Sequence, residues 1–483
     1  MALYSISYII LIPSDYLYNK SRQVRTISYN KDLRLGITID SDGELTGLYL
    51  PEHDRSTHTY VLGSSGVGKS KGLATWILED IYSGRGCGVI DPHGDLIRDI
   101  VANCPYREDV IIVDLTDPKY VIGFNPLEQQ KGIDPYTQAL ELVEVFRKIW
   151  DLTDAATPRL IEILRNSVYS LIEAGGTMLD IEPLLTNQEF RTEAIRHVKN
   201  EAVHSFWHNR FAKWDNRDRI SNVESTLNKV STFTSDPRIR MMLSSKKSTI
   251  DIREIMDTSK VLLINLSKGS LRTNSYLLGA LFVAKIQMVA MSRESLPPQD
   301  RIPWYLYVDE FQNYATDSFA EIMSEARKYG LSITLAHQNL KQLPEHLKAT
   351  ILSNAKNFVI FRLDRQDAEL MIKYMFEYDP FDLKYKSDDK YNFYSMAEQQ
   401  ESWTHELTHL GAQFAYLKTK GEAPTYFKTY YLEDTGEYIQ VYEAIRQINI
   451  ENGYLRDVNE IAESLTFQPS AIYEPDEPET FFE

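Results

Sequence analysis

Eight consecutive residues, Gly63-Ser64-Ser65-Gly66-Val67-Gly68-Lys69-Ser70, spell the pattern G-x-x-x-x-G-K-[ST]. Glycines at this spacing let successive backbone N–H groups turn inward around a phosphate. The lysine adds a cation for the phosphate oxygens, and the hydroxyl that follows is a ligand for Mg²⁺. The flanks suit this chemistry. Thr59-Tyr60-Val61-Leu62 reads as a buried strand, and Gly72-Leu73-Ala74-Thr75-Trp76-Ile77-Leu78 reads as a helix whose N-terminal dipole favours an anion. The expectation is a site for ATP and Mg²⁺ built on Gly63, Ser64, Ser65, Gly66, Val67, Gly68, Lys69 and Ser70.

Binding becomes hydrolysis only with an acidic strand end to orient the Mg²⁺ shell and a group to position water. Trp304-Tyr305-Leu306-Tyr307-Val308 followed by Asp309-Glu310 supplies both. Asp309 is expected at the metal and Glu310 at the attacking water. A later apolar run, Ser332 to Ala336, ends in His337-Gln338. The Gln338 amide either touches the γ-phosphate or serves as a turn residue. Arg327 and Lys328 precede Gly330, as cations do in a last helical turn where they offset the dipole. Alternatively, Arg327 reaches the nucleotide of a neighbouring subunit.

The elements that must position these residues fall into regions of different texture. Short apolar runs alternate with helical ones from about Ser28 to Pro126, and again from Val261. This pattern argues for a mostly parallel sheet covered on both faces. Between them, Ala139 to Ile149 and Leu160 to Ile172 repeat at three-to-four spacing, which predicts an all-helical insertion. The expected division is a β segment over 1–50, an ATPase core over 51–133 and 248–432, an all-α domain over 134–247, and an acidic, partly disordered extension over 433–483.

The 483 residues carry a net charge of −17, with 43% hydrophobic and 25% charged residues. Such a balance excludes general attraction to nucleic acid and leaves only a locally basic surface for it. Two cysteines, Cys87 and Cys104, fit a reducing cytoplasm and no disulfide framework. The apolar start, Met1 to Pro13, falls short of the roughly 20 residues a spanning helix needs and reads as a strand, so no direct membrane insertion is expected. No internal repeat is visible.

A resemblance rests on several motifs in order. Asp91-Pro92-His93-Gly94-Asp95, Phe124-Asn125-Pro126-Leu127, Asn265-Leu266-Ser267-Lys268-Gly269, Val308-Asp309-Glu310-Phe311-Gln312, Ala326-Arg327-Lys328-Tyr329-Gly330-Leu331 and Ala336-His337-Gln338 belong to it. Together with the phosphate loop they resemble the HerA–FtsK superfamily of DNA-translocating ATPases. The nearest likeness is to the coupling proteins of conjugative type IV secretion systems (TraG/TraD-like). The resemblance implies a RecA-like P-loop NTPase core with an inserted all-α domain, assembled as a homohexamer around DNA with ATP at subunit interfaces. It implies catalysis by Glu310, γ-phosphate sensing by Gln338 and a trans-acting Arg327. Relaxase or a membrane-anchored secretion partner would be its associates. A HerA-like motor of repair, packaging or defence, partnered by a nuclease, is the nearest alternative, and a nucleotide-gated docking module a further one.

For DNA, Lys268 and Arg272 follow a central strand and are the expected channel contacts. The basic stretch from Arg191 to Lys247 interleaves with Phe206, Trp207, Phe211 and Trp214, but a solvated helix face with its aromatics in the core is the favoured reading there. His405-Glu406-Leu407-Thr408-His409 matches the zinc-peptidase pattern H-E-x-x-H. Gly411 shortens any helix carrying it, and a third ligand would have to come from Glu422, Glu433 or Glu437.

Overall fold

The computed structural model describes residues 32–105, 108–266, 274–314, 323, 325–387 and 390–465. Strands β1 (Leu33–Ile39), β2 (Leu45–Leu50), β3 (Thr59–Leu62), β4 (Cys87–Asp91) and β5 (Val110–Asp114) precede a short β6 (Tyr120–Ile122). Then follow β7 (Val261–Asn265), β8 (Trp304–Val308), β9 (Leu331–His337) and β10 (Asn357–Ile360). A small hairpin, β11 (Leu383–Ser387) with β12 (Lys390–Phe393), stands apart, and β13 (Phe414–Thr419), β14 (Thr425–Lys428) and β15 (Leu455–Asp457) complete the set.

One 11-stranded sheet has the order β2-β1-β14-β13-β10-β3-β9-β8-β4-β7-β5. From β10 to β5 every pairing is parallel, whereas β13, β14, β1 and β2 add an antiparallel flank. The parallel strands are buried along their whole length because helices cover both faces. Alternate residues feed two cores. Val61, Val89, Leu263 and Tyr307 face one side with Leu73, Trp76, Ile77, Ile97 and Ile445. Tyr60, Leu62, Ile90 and Ile264 face the other with Leu278, Leu281 and Met371.

The helix Asn274–Ser292 runs through this second core and is buried on nearly all sides, which is why it is apolar all round. It is the one helix among the described residues long and apolar enough to cross a membrane, yet 89% of its apolar window is buried inside the protein.

Residues 135–257 hold helices and no strand. Asp134, Asn187, Asn200, Asp236 and Asp251 each cap a helix start with a side-chain oxygen, and proline takes the first helical position after Asp134 and Asp236. Phe206, Trp207 and Phe211 are buried together, and the Trp207 indole donates to Ser170 Oγ at 2.9 Å. These aromatics are core residues, as favoured from the sequence. Asn125, just before the insertion, is tied to its middle and its end: its amide nitrogen donates to the carbonyls of Gly176 at 3.0 Å and Lys246 at 2.8 Å.

The segment after 432 is folded as far as residue 465. The helix Tyr438–Glu451 packs on the helix Asp95–Ala102, and β15 pairs with β6. Asn449 accepts from the Ile112 amide at 2.9 Å and donates to the Val110 carbonyl at 2.8 Å. It thus satisfies backbone groups on the outer edge of β5, which would otherwise offer itself to another chain. Residues 466–483 and the run Met1 to Pro13 lie outside the described residues.

Candidate functional site

The loop from Gly63 to Ser70 leaves the carboxyl end of β3 between β9 and β10. The Gly63 amide donates to the His337 carbonyl at 3.3 Å and the Ser64 amide to the Arg362 carbonyl at 2.9 Å. The loop crest, Ser65 and Gly66, is exposed. Gly66 has φ 75° and Gly68 φ 95°, left-handed values that a side chain would strain. At Gly68 a Cβ would also stand 3.1 Å from the backbone nitrogen of Gln413. Gln413 supports the loop by donating its amide to the Val67 carbonyl at 2.8 Å. The helix Lys69–Tyr82 then begins with no side chain capping it, so its first amides stay open for an anion.

Lys69 is 5% exposed, and its ammonium lies 3.5 Å from the Gly63 carbonyl and 3.7 Å from Glu310 Oε1. Burial pushes this lysine down, opposed by Glu310 and Asp309. Two strands along, β8 delivers Asp309, whose amide donates to the Ile90 carbonyl at 3.1 Å. Burial, with Glu310 and Asp91 nearby, pushes the Asp309 carboxyl up to about 7 against the pull of Lys69. Asp91, at the end of β4, spends its oxygens on the amides of His93 at 2.8 Å and Ile97 at 3.0 Å, fixing the turn into the helix Asp95–Ala102. Glu310 and Asp309 therefore bear on the buried Lys69 ammonium, while Asp91 adds negative charge at Asp309. The negative charge gathered at Asp309 suits a divalent cation such as the Mg²⁺ expected there.

Glu310 is 6% exposed and has φ 48°, the left-handed region that costs a non-glycine residue energy. Its carboxylate is gripped from two sides. Gln338, just past β9, donates to Oε1 at 2.6 Å, and Gln312 donates to Oε2 at 2.8 Å. Lys69, Asp309, Glu310 and Gln338, far apart in the chain, thus stand together. Gln312 and Gln413 were not singled out from the sequence. Gln312 had a signal, lying two residues after Glu310 in the run that follows β8, whereas Gln413 is recognisable only from its place behind the loop.

Behind the site, Asp80 accepts from Arg55 at 2.7 Å, from Arg85 at 2.7 Å and from the Tyr307 hydroxyl at 2.7 Å, all in the interior. Burial raises the Asp80 carboxyl, but Arg55 and Arg85 outweigh it and hold it below the usual range. Asp80 belongs to the phosphate-loop helix, and Tyr307 precedes Asp309 by two residues. The network therefore fixes the helix against the strand that carries the acidic pair.

Arg327 is not brought to this site. It is exposed in a 3₁₀ turn, Ala326–Tyr329, that closes on Gly330 at φ 74°. The turn enters β9, a strand of 7 residues, at the end opposite Gln338. At about 3.3 Å per residue the separation is about 23 Å, beyond reach of this subunit's own loop. Next to it lies His58, 2% exposed, whose Nδ1 accepts from the Ile333 amide at 3.1 Å. Burial, with Arg327 nearby, pushes the His58 imidazole down to about 4. The residues 315–324 just upstream lie outside the described residues save for Met323, as do Lys268 and Arg272.

His405 and His409 do share a helix face, their rings stacked at 3.9 Å, on the helix Met396–His409. Among the described residues no group of three or more histidine, cysteine, aspartate or glutamate side chains is placed to hold a metal. Glu406 instead serves the Tyr416 hydroxyl of β13, raising that phenol above its usual range together with burial.

A family model described as the TraM recognition site of TraD and TraG matches residues 303–374. No curated protein matches the chain in sequence. Among solved structures, the bacterial conjugative coupling protein TrwBdeltaN70 superposes with a TM-score of 0.56 at 17% identity, covering 79% of this chain and 86% of that one. Coupling protein TrwB bound to ADP and Mg²⁺ gives 0.56 at 17% identity, covering 85% and 97%. The same protein with a non-hydrolysable GTP analogue gives 0.55 at 18% identity, covering 84% and 95%. The fold is that of a RecA-like P-loop ATPase with an all-α domain, and the resemblance to type IV secretion coupling proteins read from the ordered motifs holds.

Proposed function

We propose that the chain is an ATP-driven DNA translocase of the conjugative coupling type, working as a homohexameric ring. The observation that supports this reading is the meeting of Lys69, Asp309, Glu310 and Gln338 at the carboxyl ends of β3, β8 and β9. Open backbone amides and Lys69 would hold the β- and γ-phosphates of ATP. Mg²⁺, held by Ser70 and Asp309, would neutralise charge on those oxygens. Glu310 would orient water for in-line attack and take up its proton, and Gln338, now engaged with Glu310, would exchange that partner for the γ-phosphate. The nucleotide's arrival would thereby release Glu310 toward water. Arg327, exposed about 23 Å from its own subunit's Gln338 by strand length, would complete the site of the next subunit.

That the motor acts on DNA rests on the likeness to TrwB, described as a conjugative coupling protein, and on the match to the region of TraD and TraG described as a TraM recognition site. Steady-state ATPase assays with and without single- and double-stranded DNA test it. Stimulation by one of them is expected. Turnover indifferent to both would contradict DNA translocation and favour a docking module.

A further inference from the structure

Gln413 stands immediately before β13 with φ 69°, a left-handed backbone that costs a non-glycine residue energy. Both of its backbone polar groups are engaged. Its amide donates to the Val67 carbonyl at 2.8 Å, and its carbonyl accepts from the Thr429 amide at 2.9 Å and the Thr429 hydroxyl at 3.3 Å. The stem of its side chain lies against the phosphate loop, where a Cβ added at Gly68 would come within 3.1 Å of Gln413 Cγ. Backbone and stem therefore pin the residue to the loop. Its carboxamide, by contrast, makes no hydrogen bond among the described residues and is only partly buried. A strained residue persists where its surroundings hold it in place, and what is held in place here is an unused donor and acceptor.

The direction of a bound nucleotide indicates what the carboxamide meets. In the sheet, β3 has β9 and β8 on one side and β10 and β13 on the other. Glu310 follows β8 and Gln338 follows β9, and Glu310 Oε1 lies 3.7 Å from the Lys69 ammonium. Because Glu310 is the proposed base, the terminal phosphate lies toward β8 and β9. A phosphate chain with that end so placed directs its nucleoside the other way, toward the β10 and β13 side where Gln413 stands. A carboxamide offers a donor and an acceptor in one plane, which matches the N6 and N7 edge of adenine. Guanine shows two acceptors on the same edge, a pattern that a paired donor and acceptor cannot meet.

The geometry points to Gln413 as a specificity-determining residue whose carboxamide hydrogen-bonds the nucleobase and sets a preference for adenine. The inference rests on the ATPase reading above. It gives the strained turn before β13 two tasks, since the same residue supports the loop through its backbone and reads the nucleoside through its side chain.

The test compares wild type with Gln413→Met, which keeps a stem of similar length against Gly68 and removes the donor and acceptor, and with Gln413→Ala. Each protein is titrated by calorimetry in Mg²⁺ with ADP, GDP and inorganic tripolyphosphate, which can fill the loop but carries no nucleoside. The expected result is ADP binding weakened about fivefold or more in both variants, with tripolyphosphate affinity within about twofold of wild type and a smaller preference for ADP over GDP. An equal loss for ADP and tripolyphosphate overturns the inference and leaves Gln413 as a support of the loop. Unchanged ADP binding, or an ADP-to-GDP preference that the variants leave as it was, overturns it too. If wild type binds neither ADP nor tripolyphosphate, the ATPase reading falls first and this inference with it.

Discussion

Gln312→Ala isolates the grip on Glu310, the proposed base, from every contact with nucleotide. Glu310 Oε1 faces Lys69 at 3.7 Å and Gln338 at 2.6 Å, whereas Oε2 meets Gln312 at 2.8 Å. Gln312 thus acts on the oxygen turned away from the phosphate loop. A hydrogen bond to a charged group contributes about 1.5–3 kcal/mol. If that contact orients Glu310 as water attacks the γ-phosphate, its loss lowers kcat by about 10- to 150-fold. The left-handed backbone at Glu310, φ 48°, makes substitution at the neighbouring Glu310 a poorer probe of orientation, and Gln312 avoids it. The assay is steady-state ATP hydrolysis alongside binding of a fluorescent ATP analogue. The expected outcome is a lower kcat with unchanged nucleotide affinity, because Gln312 orients Glu310 and touches no phosphate, so its loss affects turnover and not binding. A kcat within twofold of wild type, in a variant of normal stability, would refute the grip as a catalytic feature.

Asp80→Ala leaves Arg55 buried and unpaired beneath the phosphate-loop helix; a loss of about 3–5 kcal/mol is expected by urea unfolding, and less than 1 kcal/mol would contradict the network. His58 is pushed down to about 4, below its unfolded range near 6.5, so the unfolded chain takes up a proton that the folded chain refuses. Stability should therefore fall as pH drops from about 6.5 toward 4, and His58→Gln should flatten that slope; parallel slopes would exclude His58 as the source. Arg327→Ala should be inactive alone yet recover turnover when mixed with a Lys69→Ala protein that supplies the arginine, and failure of that complementation returns Arg327 to a capping role.

Local pattern made the phosphate loop and the acidic pair readable, because a tight backbone turn and a buried strand end each leave their mark in consecutive residues. The parallel sheet followed from apolar runs such as Val261 to Ile264, and the insertion from three-to-four spacing after Ala139. What escaped was whatever depends on juxtaposition. Asn449 covers the edge of β5 from 337 residues away in sequence, and Gln413 supports Val67 from a strand start. The H-E-x-x-H pattern shows the converse. Two histidines on one face were legible, but the partner of Glu406, Tyr416 of a neighbouring strand, was not.

The central claim is that this cleft binds ATP through Lys69 and hydrolyses it through Glu310. Measuring ATP binding and ATP turnover side by side for wild type, Lys69→Ala and Glu310→Gln tests it most directly. The account predicts binding with turnover in wild type, neither in Lys69→Ala, and binding without turnover in Glu310→Gln. Turnover by Glu310→Gln at the wild-type rate would contradict it.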